Sequence, residues 1–373
     1  MKATSFVSRI EVYKLSIPLI EPFVISLGPV DSAENVIVII HTRDGIKGFG
    51  ECSPYTMING ESMDTCFIVA GYLGKSLIGH DALDISSCSI LMDNIIYGNT
   101  SIKSAFDIAL YDIASQHAGL PLYSFLGGKN NKVLTTDMTV SIGDPEKMKA
   151  DALKFKQQGF PAIKVKLGEN KEIDVERIRG IRQTIGNEIP LRIDANQGWH
   201  TSDLAIDILQ ALAPFNIEHC EEPIPRWRFM ELGKVTAASP IAIMADESCG
   251  DHHDAERLIQ LNACQMFNIK LGKSSGFFKA MKMIELASRA KMHLQIGGFM
   301  ESRLGMTASA HLALTNDCIV HCDFDTPLMF TEDPVEGGII YKANGVIEVP
   351  NVAGLGAVIS DSYLKNAEKM AIT

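Results

Sequence analysis

Positive charge and long apolar runs are both scarce in this 373-residue sequence. Its 34 Lys and Arg residues are outnumbered by 45 Asp and Glu residues, which gives a formal net charge of −11. Such an acidic chain argues against nucleic acid and anionic membranes as main partners. No run of about 18 apolar residues is present to cross a bilayer, and Arg9, Glu11 and Lys14 interrupt the apolar residues that a secretory signal would need near the N-terminus. We therefore expect a cytoplasmic protein that binds neither nucleic acid nor membrane.

Cysteine-pair and nucleotide-binding motifs are also missing. The eight cysteines are scattered and form no C-x-x-C pair, so we expect reduced thiols. No G-x-G-x-x-G follows an early strand, and "LGKS" at 73–76 and 271–274 lacks the upstream glycine of a phosphate loop. With 46% hydrophobic residues, the chain can still bury a large core, divided between one large domain and one smaller domain.

The first part of the chain mixes strand and helix patterns. Residues 8–17 and 35–52 indicate strands, and the second segment indicates a hairpin that turns at Asp44 and Gly45. Residues 101–119 have apolar residues at helical spacing and end in a glycine. We predict an α+β N-terminal domain over residues 1–128, which ends within the Gly-rich stretch "FLGGKNNK".

From Val133 onward, short apolar segments alternate with amphipathic ones. Eight segments have strand character, and the seven segments between them have helical character. This alternation predicts a parallel sheet, and its length favours a closed barrel over an open doubly wound sheet, which stays the alternative. The predicted strands are "TDMTVSI", "AIKVKLG", "LRIDANQ", "IEHCEEP", "IAIMADES", "CQMFNIKLG", "MHLQIGGFM" and "IVHCDFD".

Polar residues gather at the ends of these predicted strands. In a barrel of parallel strands the carboxyl-terminal ends meet at one mouth, where active sites lie. Each motif alone could be a helix cap or an exposed turn, but chance rarely places ionisable residues at equivalent points of five consecutive strands. The residues are Lys164 and Lys166, Asp194 and Asn196, Glu221 and Glu222, Asp246 and Glu247, Lys270, and Asp323 and Asp325.

Three of these side chains form a set of hard oxygen ligands. Asp194, Glu221 and Asp246 come from adjacent predicted strands, and three carboxylates suit octahedral Mg²⁺ with positions left for substrate or water. Zinc is disfavoured because no His or Cys occupies an equivalent position, although Cys220 and Cys249 are near in sequence. The sequence therefore predicts Mg²⁺ as the cofactor.

Lysines form a second set around the predicted metal. Lys164 and Lys166 share one strand face, and Lys270 comes from a strand on the opposite side of the barrel. Desolvation and neighbouring cations both lower the pKa of a lysine, and a lysine with a lowered pKa can serve as a general base. We interpret Lys166 and Lys270 as an acid/base pair that flanks the metal.

The ordered motifs K-x-K, D-x-N, E-E-P and D-E-S, followed by the lysine of "NIKLGK", resemble the enolase superfamily, muconate-lactonising subgroup. The resemblance covers nearly the whole chain. It implies a (β/α)7β TIM-like barrel over residues 129–344, with an α+β capping domain that a segment from about residue 345 to residue 373 completes.

The resemblance also implies roles for the residues at the barrel mouth. The shared step of the superfamily is removal of the proton α to a carboxylate, with Mg²⁺ stabilising the resulting enediolate. The implied Mg²⁺ ligands are Asp194, Glu221 and Asp246, the implied acid/base pair is Lys166 and Lys270, and Lys164 is placed near the substrate carboxylate.

The stretch "DFDTP" narrows the resemblance within the subgroup. Asp323 and Asp325 share one strand face, and their pattern could indicate a second metal site or a helix cap. However, it resembles the dipeptide epimerases, where such a pair holds the α-ammonium of the N-terminal residue. Thr139 and Gly298 match substrate-contact positions there. The implied reaction inverts Cα of the C-terminal residue of a dipeptide by 1,1-proton transfer.

One departure bears on specificity. L-Ala-D/L-Glu epimerases resemble this chain near "PFVISLGP" but carry a basic residue where this sequence has Gly28. The absence of that residue favours a small or neutral C-terminal residue in the substrate. The stretches "GESMDT", "GGFMESRLG" and "DFDTPLMF" are similar to epimerases of the D-Ala-D/L-Ala type. We expect a homo-oligomer that acts in cell-wall peptide metabolism.

Other functions stay open at this point. An L-Ala-D/L-Glu epimerase, or a cycloisomerase or o-succinylbenzoate synthase of the same superfamily, would use the same metal and lysines. A Schiff-base aldolase would also place a lysine at a barrel strand end, but three carboxylates around the lysines count against it. A non-catalytic binding protein would not need a lysine on each face of Cα.

Overall fold

The N-terminal region is an antiparallel sheet covered by helices in the computed structural model, which describes residues 4–373. The predicted hairpin at Asp44 and Gly45 is confirmed, and Gly45 has a φ of +90°, which favours glycine. The strands are β1 (Val7–Ile25), β2 (Gly28–Thr42) and β3 (Lys47–Cys52), and the helices are α1 (Met63–Leu77), α2 (Ile85–Ile95), α3 (Thr100–His117) and α4 (Leu122–Phe125).

Helix α3 is buried on nearly all sides because the sheet and the rest of the chain both pack against it. A Cβ atom at Gly48 or Gly50 of β3 would overlap backbone carbonyl oxygens of α3, so these glycines let the helix lie directly on the strand. On another side, Asp107 of α3 accepts a hydrogen bond of 2.5 Å from the backbone N–H of Phe277. The predicted helix is thus present, and it joins the two parts of the molecule.

The second part of the chain forms the predicted barrel. Eight parallel strands follow one another in chain order around the sheet, and a parallel bridge between Thr136 and Cys322 connects the last strand to the first. A doubly wound sheet would reverse its strand order part-way, so that alternative is wrong. The strands are β5 (Met138–Val140), which follows the short β4 (Leu134–Thr135), then β6 (Ile163–Lys166), β7 (Leu191–Asp194), β8 (Ile217–Glu221), β9 (Ala242–Ala245), β10 (Met266–Ile269), β11 (His293–Ile296) and β12 (Ile319–Cys322).

Seven longer helices connect these strands, as the amphipathic segments predict. Side chains at the N-caps of most of them accept hydrogen bonds from the first turn, among them Asp144, Asn170, Thr201, Asp251 and Ser302. The helices are α5 (Pro145–Gln157), α6 (Lys171–Ile185), α7 (Ser202–Leu212), α8 (Phe229–Ala238), α9 (His252–Gln260), α11 (Phe277–Arg289) and α12 (Arg303–Ala313), with the one-turn α10 (Leu271–Ser274) directly after β10.

The end of the chain returns to the N-terminal sheet. The last strand, β17, pairs with β1 so that Ile372 lies opposite Ile10. The C-terminal elements are β13 (Val335–Gly337), β14 (Ile340–Tyr341), β15 (Val346–Glu348), β16 (Ala357–Ile359), α13 (Asp361–Leu364) and β17 (Lys369–Ile372). Below, "the cap" means strands β1–β3 and β17, helices α1–α3 and the loops that join them. Within residues 4–373, no helix is both long and apolar enough to cross a membrane.

The barrel strands alternate between two environments. On β6, Ile163 and Val165 belong to the apolar core, whereas Lys164 and Lys166 are buried polar residues. Because successive side chains of a strand point to opposite faces, the core lies between strands and helices, and the barrel interior is lined with charge. This polar interior leads directly to the mouth.

Candidate active site

The polar strand ends lie at one level because neighbouring strands are in register. Lys166 pairs with Asp194 across β6 and β7, and Asp194 pairs with Glu221 across β7 and β8. Strands β6 and β10 are four positions apart in the strand order, so Lys166 and Lys270 approach the centre from opposite sides. The structure therefore brings together the residues that sequence reasoning placed at the barrel mouth.

Asp194, Glu221 and Asp246 form a compact and fully buried carboxylate cluster. One oxygen from each side chain lies within 4.8 Å of the others, and all three residues have no exposed surface. Three hard oxygen donors at this spacing fit a divalent cation such as Mg²⁺. These three residues are therefore the ones that could hold the predicted metal.

Each carboxylate is anchored through one oxygen and turns the other inward. Asp194 Oδ1 accepts a hydrogen bond of 2.9 Å from the N–H of Asn196. Glu221 Oε1 accepts from the side chain of Asn268, and Asp246 Oδ1 accepts from Lys273. The inward oxygens Glu221 Oε2 and Asp246 Oδ2 lie against the ammonium groups of Lys164 and Lys270. Burial and the neighbouring Asp194 and Asp246 raise the pKa of Glu221 to about 7. A divalent cation would relieve the repulsion among these three carboxylates, which supports the fit to a metal.

Sequence reasoning missed two of these anchoring residues. Lys273 belongs to the "LGKS" stretch that was considered only as a phosphate loop, and its Nζ also contacts the backbone oxygen of Asn268 at 2.9 Å. Asn268 lies two residues before Lys270 on the same strand face. The i, i+2 spacing that identified the other strand-end pairs could have found Asn268. No local pattern identified Lys273.

The lysine ammonium groups lie against the carboxylates. Lys164 Nζ is 2.6 Å from Glu221 Oε2 and 3.2 Å from Asp194 Oδ2. Lys166 Nζ is 2.7 Å from Asp194 Oδ2, and Lys270 Nζ is 2.7 Å from Asp246 Oδ2. Each inward oxygen of the cluster thus faces a lysine on the substrate side of the site.

The sequence predicts a lowered pKa for a lysine of the acid/base pair beside a divalent cation, whereas in the protein alone the pKa of Lys270 is raised. Burial lowers the pKa of Lys270, but the carboxylates of Asp246 and Glu221 outweigh burial and raise it. Burial likewise lowers the pKa of Lys164, and Asp323, Glu221 and Asp194 raise it well above its usual value. Burial and neighbouring cations favour a lowered pKa, but the carboxylates paired with these two lysines have the larger effect. A divalent cation on those carboxylates would take up their negative charge.

A second acidic cluster lies beside Lys164. Asp137, Asp323 and Asp325 each offer one oxygen within 4.8 Å of the others. Asp325 Oδ2 accepts a hydrogen bond of 2.7 Å from the N–H of Thr139, and Asp323 Oδ2 is 2.9 Å from Lys164 Nζ. The structure therefore brings the predicted Asp pair and Thr139 together, and it adds Asp137, which sequence reasoning missed.

Charge is unevenly balanced within this second cluster. Burial raises the pKa of Asp323, but Lys164 and Lys166 outweigh burial and hold it at about 2. Burial and the neighbouring Asp323 and Asp137 raise the pKa of Asp325 well above its usual value. An additional cationic group between the aspartates would relieve this repulsion.

Gly298 lines the same cavity with its backbone, since glycine has no side chain. A Cβ atom at this position would meet the flexible ends of the Met306 and Glu301 side chains, which would have to shift. The cavity has a volume of about 470 Å³ and is lined by the predicted residues Thr139, Lys166, Asn196, Lys270, Gly298, Asp323 and Asp325, together with Phe299, Met300 and Thr326.

The cap closes this cavity from the other side. Its lining combines apolar side chains with hydroxyl groups and the carboxylates of Asp31, Glu34 and Asp64, and no Lys or Arg of the cap lines the cavity among residues 4–373. Gly28 stands at the end of the β1–β2 hairpin with a φ of +122°, and its neighbours Pro29 and Val30 face the cavity. The full cap lining is Phe23, Ile25, Pro29, Val30, Asp31, Ser32, Glu34, Ser53, Pro54, Tyr55, Thr56, Ile58, Ser62, Met63 and Asp64.

Comparison with known protein families accounts for both parts of the chain. Residues 9–127 match the N-terminal domain of the mandelate racemase / muconate lactonizing enzyme family, and residues 147–363 match the enolase C-terminal domain-like family. The chain belongs to the enolase superfamily. The predicted superfamily and the predicted fold class are thereby confirmed. The motifs that suggested them contribute the residues that lie at the barrel mouth.

Similar superfamily members extend over essentially the whole chain. A D-Ala-D/L-Ala epimerase of Cytophaga hutchinsonii is 58% identical over 98% of this chain and 99% of its own length. The crystal structure of the Cytophaga hutchinsonii dipeptide epimerase with Mg and the dipeptide D-Ala-L-Val superposes with a TM-score of 0.98, at 58% identity and covering 99% of this chain and 100% of that one.

More distant superfamily members have the same fold. An L-Ala-D/L-Glu epimerase of Bacillus subtilis is 38% identical over 97% of this chain and 99% of its own length. The structure of an N-succinyl Arg/Lys racemase from Bacillus cereus superposes with a TM-score of 0.95, at 30% identity and covering 99% of this chain and 100% of that one.

Proposed function

We propose that this protein is a Mg²⁺-dependent dipeptide epimerase, an isomerase that inverts Cα of the C-terminal residue by 1,1-proton transfer. The observation that carries the proposal is the approach of Lys166 and Lys270 from opposite sides of the barrel toward one carboxylate cluster. Inversion at a carbon needs a proton acceptor on one face and a proton donor on the other. The similarity to epimerases at up to 58% identity supports this function.

In this proposal Asp194, Glu221 and Asp246 hold Mg²⁺ through the oxygens that face inward. When bound, the cation supplies positive charge that stabilises the negative charge that develops on the substrate carboxylate. Asn268 and Lys273 hold the opposite oxygens of Glu221 and Asp246 and so orient these ligands. Lys164, which is paired with Glu221, is assigned the role of assisting at the substrate carboxylate.

The two lysines share the proton transfer. One of them removes the proton from Cα on its own side, and the other delivers a proton to the opposite face. The chain itself keeps water away from both, because Lys166 and Lys270 are only 7% and 5% exposed. A buried site with fixed charges needs little reorganisation during the reaction.

The second acidic cluster binds the other end of the substrate. Asp323 and Asp325 would accept the α-ammonium group of the N-terminal residue, and the Thr139 N–H holds Asp325 in place. Asp137 lies in the same cluster and adds negative charge. A free ammonium group is the substrate feature that these carboxylates require, which favours dipeptides over N-acylated amino acids.

The cap favours a small or neutral C-terminal residue. The side chains of Phe23, Pro29 and Val30 give the cavity an apolar wall, and Asp31 and Glu34 would repel a carboxylate side chain. A cationic side chain that would bind glutamate is missing from the cap lining within residues 4–373. We therefore infer that Ala-Ala-like dipeptides are preferred to Ala-Glu.

The cellular setting belongs to the same proposal. All eight cysteines are free thiols, which supports a cytoplasmic location. A role in cell-wall peptide metabolism is supported by the alanine-based specificity inferred for the cavity. Assembly into a homo-oligomer stays a prediction from the sequence.

A dipeptide panel in D₂O tests the proposed function. We expect the purified protein with Mg²⁺ to incorporate one deuterium at Cα of the C-terminal residue and to produce the epimer, fastest for Ala-Ala and similar neutral dipeptides. Mass spectrometry measures the incorporation, and EDTA provides the control. Faster exchange of Ala-Glu would favour an L-Ala-D/L-Glu epimerase instead. Exchange of N-acylated amino acids alone, or no exchange of any dipeptide, would contradict the proposal.

A further inference from the structure

Each of the two flanking lysines lies near one phenylalanine ring. The Nζ of Lys166 is 5.8 Å from the ring centroid of Phe23, and the Nζ of Lys270 is 4.8 Å from that of Phe299. Both distances are within the range of cation–π interactions, and both rings line the cavity. The two sides of the site thus share one arrangement, a lysine beside an aromatic ring, although no sequence motif connects the two phenylalanines.

The ring of Phe23 is placed by the cap and held by the barrel. Phe23 lies on β1 opposite Val30 of β2. The backbone N–H of the next residue, Val24, donates a hydrogen bond of 2.6 Å to Ser141 Oγ, and the N–H of Ile142 donates one of 2.9 Å to the oxygen of Val24. These contacts connect the strand to the segment that follows β5, so the ring has a fixed position relative to the barrel.

The ring of Phe299 is placed by the barrel and held by the cap. The backbone N–H of Phe299 donates a hydrogen bond of 2.5 Å to the carboxylate of Glu301, and the N–H of Met300 donates one of 3.0 Å to Ser53 Oγ of the cap. A Cβ atom at Gly272 would lie 3.4 Å from the ring, so the loop after Lys270 packs against it. The two rings are therefore positioned by different elements and contact different lysines.

A ring beside an ammonium group limits where a long, flexible side chain can place its nitrogen. The ammonium is attracted to the ring face, and the apolar ring also excludes water from one side of it. Proton transfer from Cα requires the nitrogen within hydrogen-bond distance and correctly oriented. Because each ring contacts one lysine, loss of one ring should affect proton transfer at one face of Cα and not at the other.

We propose that Phe23 and Phe299 are positioning residues, Phe23 for Lys166 and Phe299 for Lys270, and that each controls proton exchange on one face of the substrate Cα. The proposal rests on the proposed epimerase function and assigns to the rings a role that differs from forming the wall of the cavity. A residue that only shaped the cavity would affect both epimers of a dipeptide.

The test measures the exchange of each epimer separately. The holoenzyme with Mg²⁺ is incubated in D₂O with L-Ala-L-Ala or with L-Ala-D-Ala, and the initial rate of deuterium incorporation into the unconverted substrate is measured by mass spectrometry. Lys166→Ala and Lys270→Ala first establish which epimer each lysine serves. Phe23→Leu and Phe299→Leu are then compared, since leucine keeps apolar bulk and removes the ring.

We expect each leucine variant to slow the exchange of one epimer by about tenfold and to leave the other within about twofold. Phe23→Leu should affect the epimer that Lys166 serves, and Phe299→Leu the epimer that Lys270 serves, so each variant is the matched control for the other. Phe23→Tyr and Phe299→Tyr keep a ring and should restore exchange. Thermal melting of every variant checks that it is folded.

Equal slowing of both epimers in either leucine variant would overturn the inference, and so would unchanged exchange of both epimers. Tyrosine variants that are folded and as slow as the leucine variants would also overturn it, because the ring would then not be the feature that matters. These results leave the epimerase function intact. In contrast, a wild-type protein that exchanges neither epimer of any dipeptide contradicts the proposed function itself.

Discussion

The cap and the barrel contribute different kinds of surface to the same cavity. The barrel supplies buried ionisable groups of both signs at the ends of its strands, such as Lys166, Lys270 and Asp323. The cap supplies apolar side chains such as Phe23 and Val30 together with hydroxyl and carboxylate groups, and none of its lysines or arginines lines the cavity within residues 4–373. Strand ends are held by the hydrogen bonds of the sheet, which keeps reacting groups in position. The hairpin and loops of the cap can change without disturbing that framework.

This difference separates chemistry from specificity. Substitutions in the barrel should decide whether a proton is transferred. Substitutions in the cap should decide which dipeptide is used, except at Phe23, whose ring lies beside Lys166. The two regions are nevertheless connected by buried contacts. Glu51 of β3 accepts hydrogen bonds from the N–H and Oγ of Ser302 at 2.9 and 2.7 Å and from the N–H of Gly305 at 2.7 Å, which attaches the cap to the start of α12.

Asp246→Asn should have the largest effect, because it removes negative charge from the metal cluster and leaves Lys270 and Lys273 without their partner. We expect epimerisation to fall by more than about 10⁴-fold and the increase in melting temperature on adding Mg²⁺ to disappear. Isothermal titration with Mg²⁺ and the D₂O assay measure both results. Asp203→Asn, at an exposed side chain, is the control. Full activity of Asp246→Asn after exhaustive chelation would show that this cluster is not the metal site.

Lys166→Ala and Lys270→Ala should each lose net epimerisation by about 10²- to 10⁴-fold, because one face of Cα then has no proton donor. Each variant should still exchange the α-proton of one epimer with D₂O through the remaining lysine, and the two variants should prefer opposite epimers. Chiral chromatography with mass spectrometry separates epimerisation from exchange. Near wild-type epimerisation in either variant would mean that a single base serves both faces.

N-acetylation of a good dipeptide should reduce kcat/KM by about 10²- to 10³-fold, because two buried carboxylates lose their cationic partner. N-methylation keeps the positive charge of the amino group and should reduce kcat/KM much less than N-acetylation does. The N-methyl dipeptide is therefore the matched control. Asp325→Asn should reduce the difference in kcat/KM between the free dipeptide and the acetylated dipeptide. Equal kcat/KM for the two substrates would rule out an ammonium site at Asp323 and Asp325.

The contacts that hold α12 against α4 and the C-terminal segment should weaken in acid. His311 of α12 is buried, with Nδ1 accepting from the N–H of Tyr123 at 3.1 Å and Nε2 lying 3.0 Å from the oxygen of Leu355. Burial lowers the pKa of His311 from 6.5 to about 4. A histidine whose pKa is lower in the folded state stabilises the fold fully above about pH 6.5, and that stability is lost as the pH falls toward 4.

Between pH 6.5 and pH 4, protonation of His311 should lower the free energy of unfolding by about 3 kcal/mol. Urea unfolding at pH 7 and at pH 4.5 measures it as the difference between wild type and His311→Gln, since glutamine does not titrate. We expect the wild type to lose more free energy of unfolding than the variant over this range. An identical loss in both proteins would show that His311 is not responsible.

The smallest effect is expected for the wall of the cap. Val30→Lys places a cation on the cavity side of the β1–β2 hairpin, and we expect it to raise the kcat/KM ratio of Ala-Glu to Ala-Ala by about tenfold. The rate of α-proton exchange at saturating substrate should change little, because neither flanking lysine nor the ring beside it is altered. Val30→Met, which adds similar length without charge, is the control. A loss of exchange for every dipeptide would contradict the separation of chemistry from specificity.

Much of the site could be predicted because it depends on local periodicity. Side chains two residues apart on a strand share a face, so Lys164 and Lys166 could be placed together from spacing alone. Asp323 and Asp325 also lie close together, although β12 ends at Cys322 and the strand predicted for them does not reach either residue. Parallel strands connected by helices bring all their carboxyl ends to one mouth. This rule predicts that Asp194, Glu221, Asp246 and Lys270 also belong to the site. The physical rule in both cases involves only neighbours along the chain or a topology set by short connections.

The residues that were missed depend on contacts between distant segments. Lys273 lies on a one-turn helix and points to Asp246, 27 positions away in sequence, and Asp137 joins its cluster through residues 186 and 188 positions further on. The raised pKa of Lys270 in the protein alone was missed for the same reason, since a pKa depends on which charges lie within a few ångströms in space.

The sequence by itself therefore determined the class of the barrel, the strand ends that carry the ionisable groups and the superfamily to which the chain belongs, because strand alternation and motif order are properties of the chain. Only the tertiary structure decided which oxygen of each carboxylate faces inward, which ring lies beside which lysine, and how β17 and His311 attach the end of the chain and the barrel to the N-terminal region. Those features follow from packing and strand register over long sequence separations, where the free energy of a contact depends on distance and burial rather than on position in the sequence.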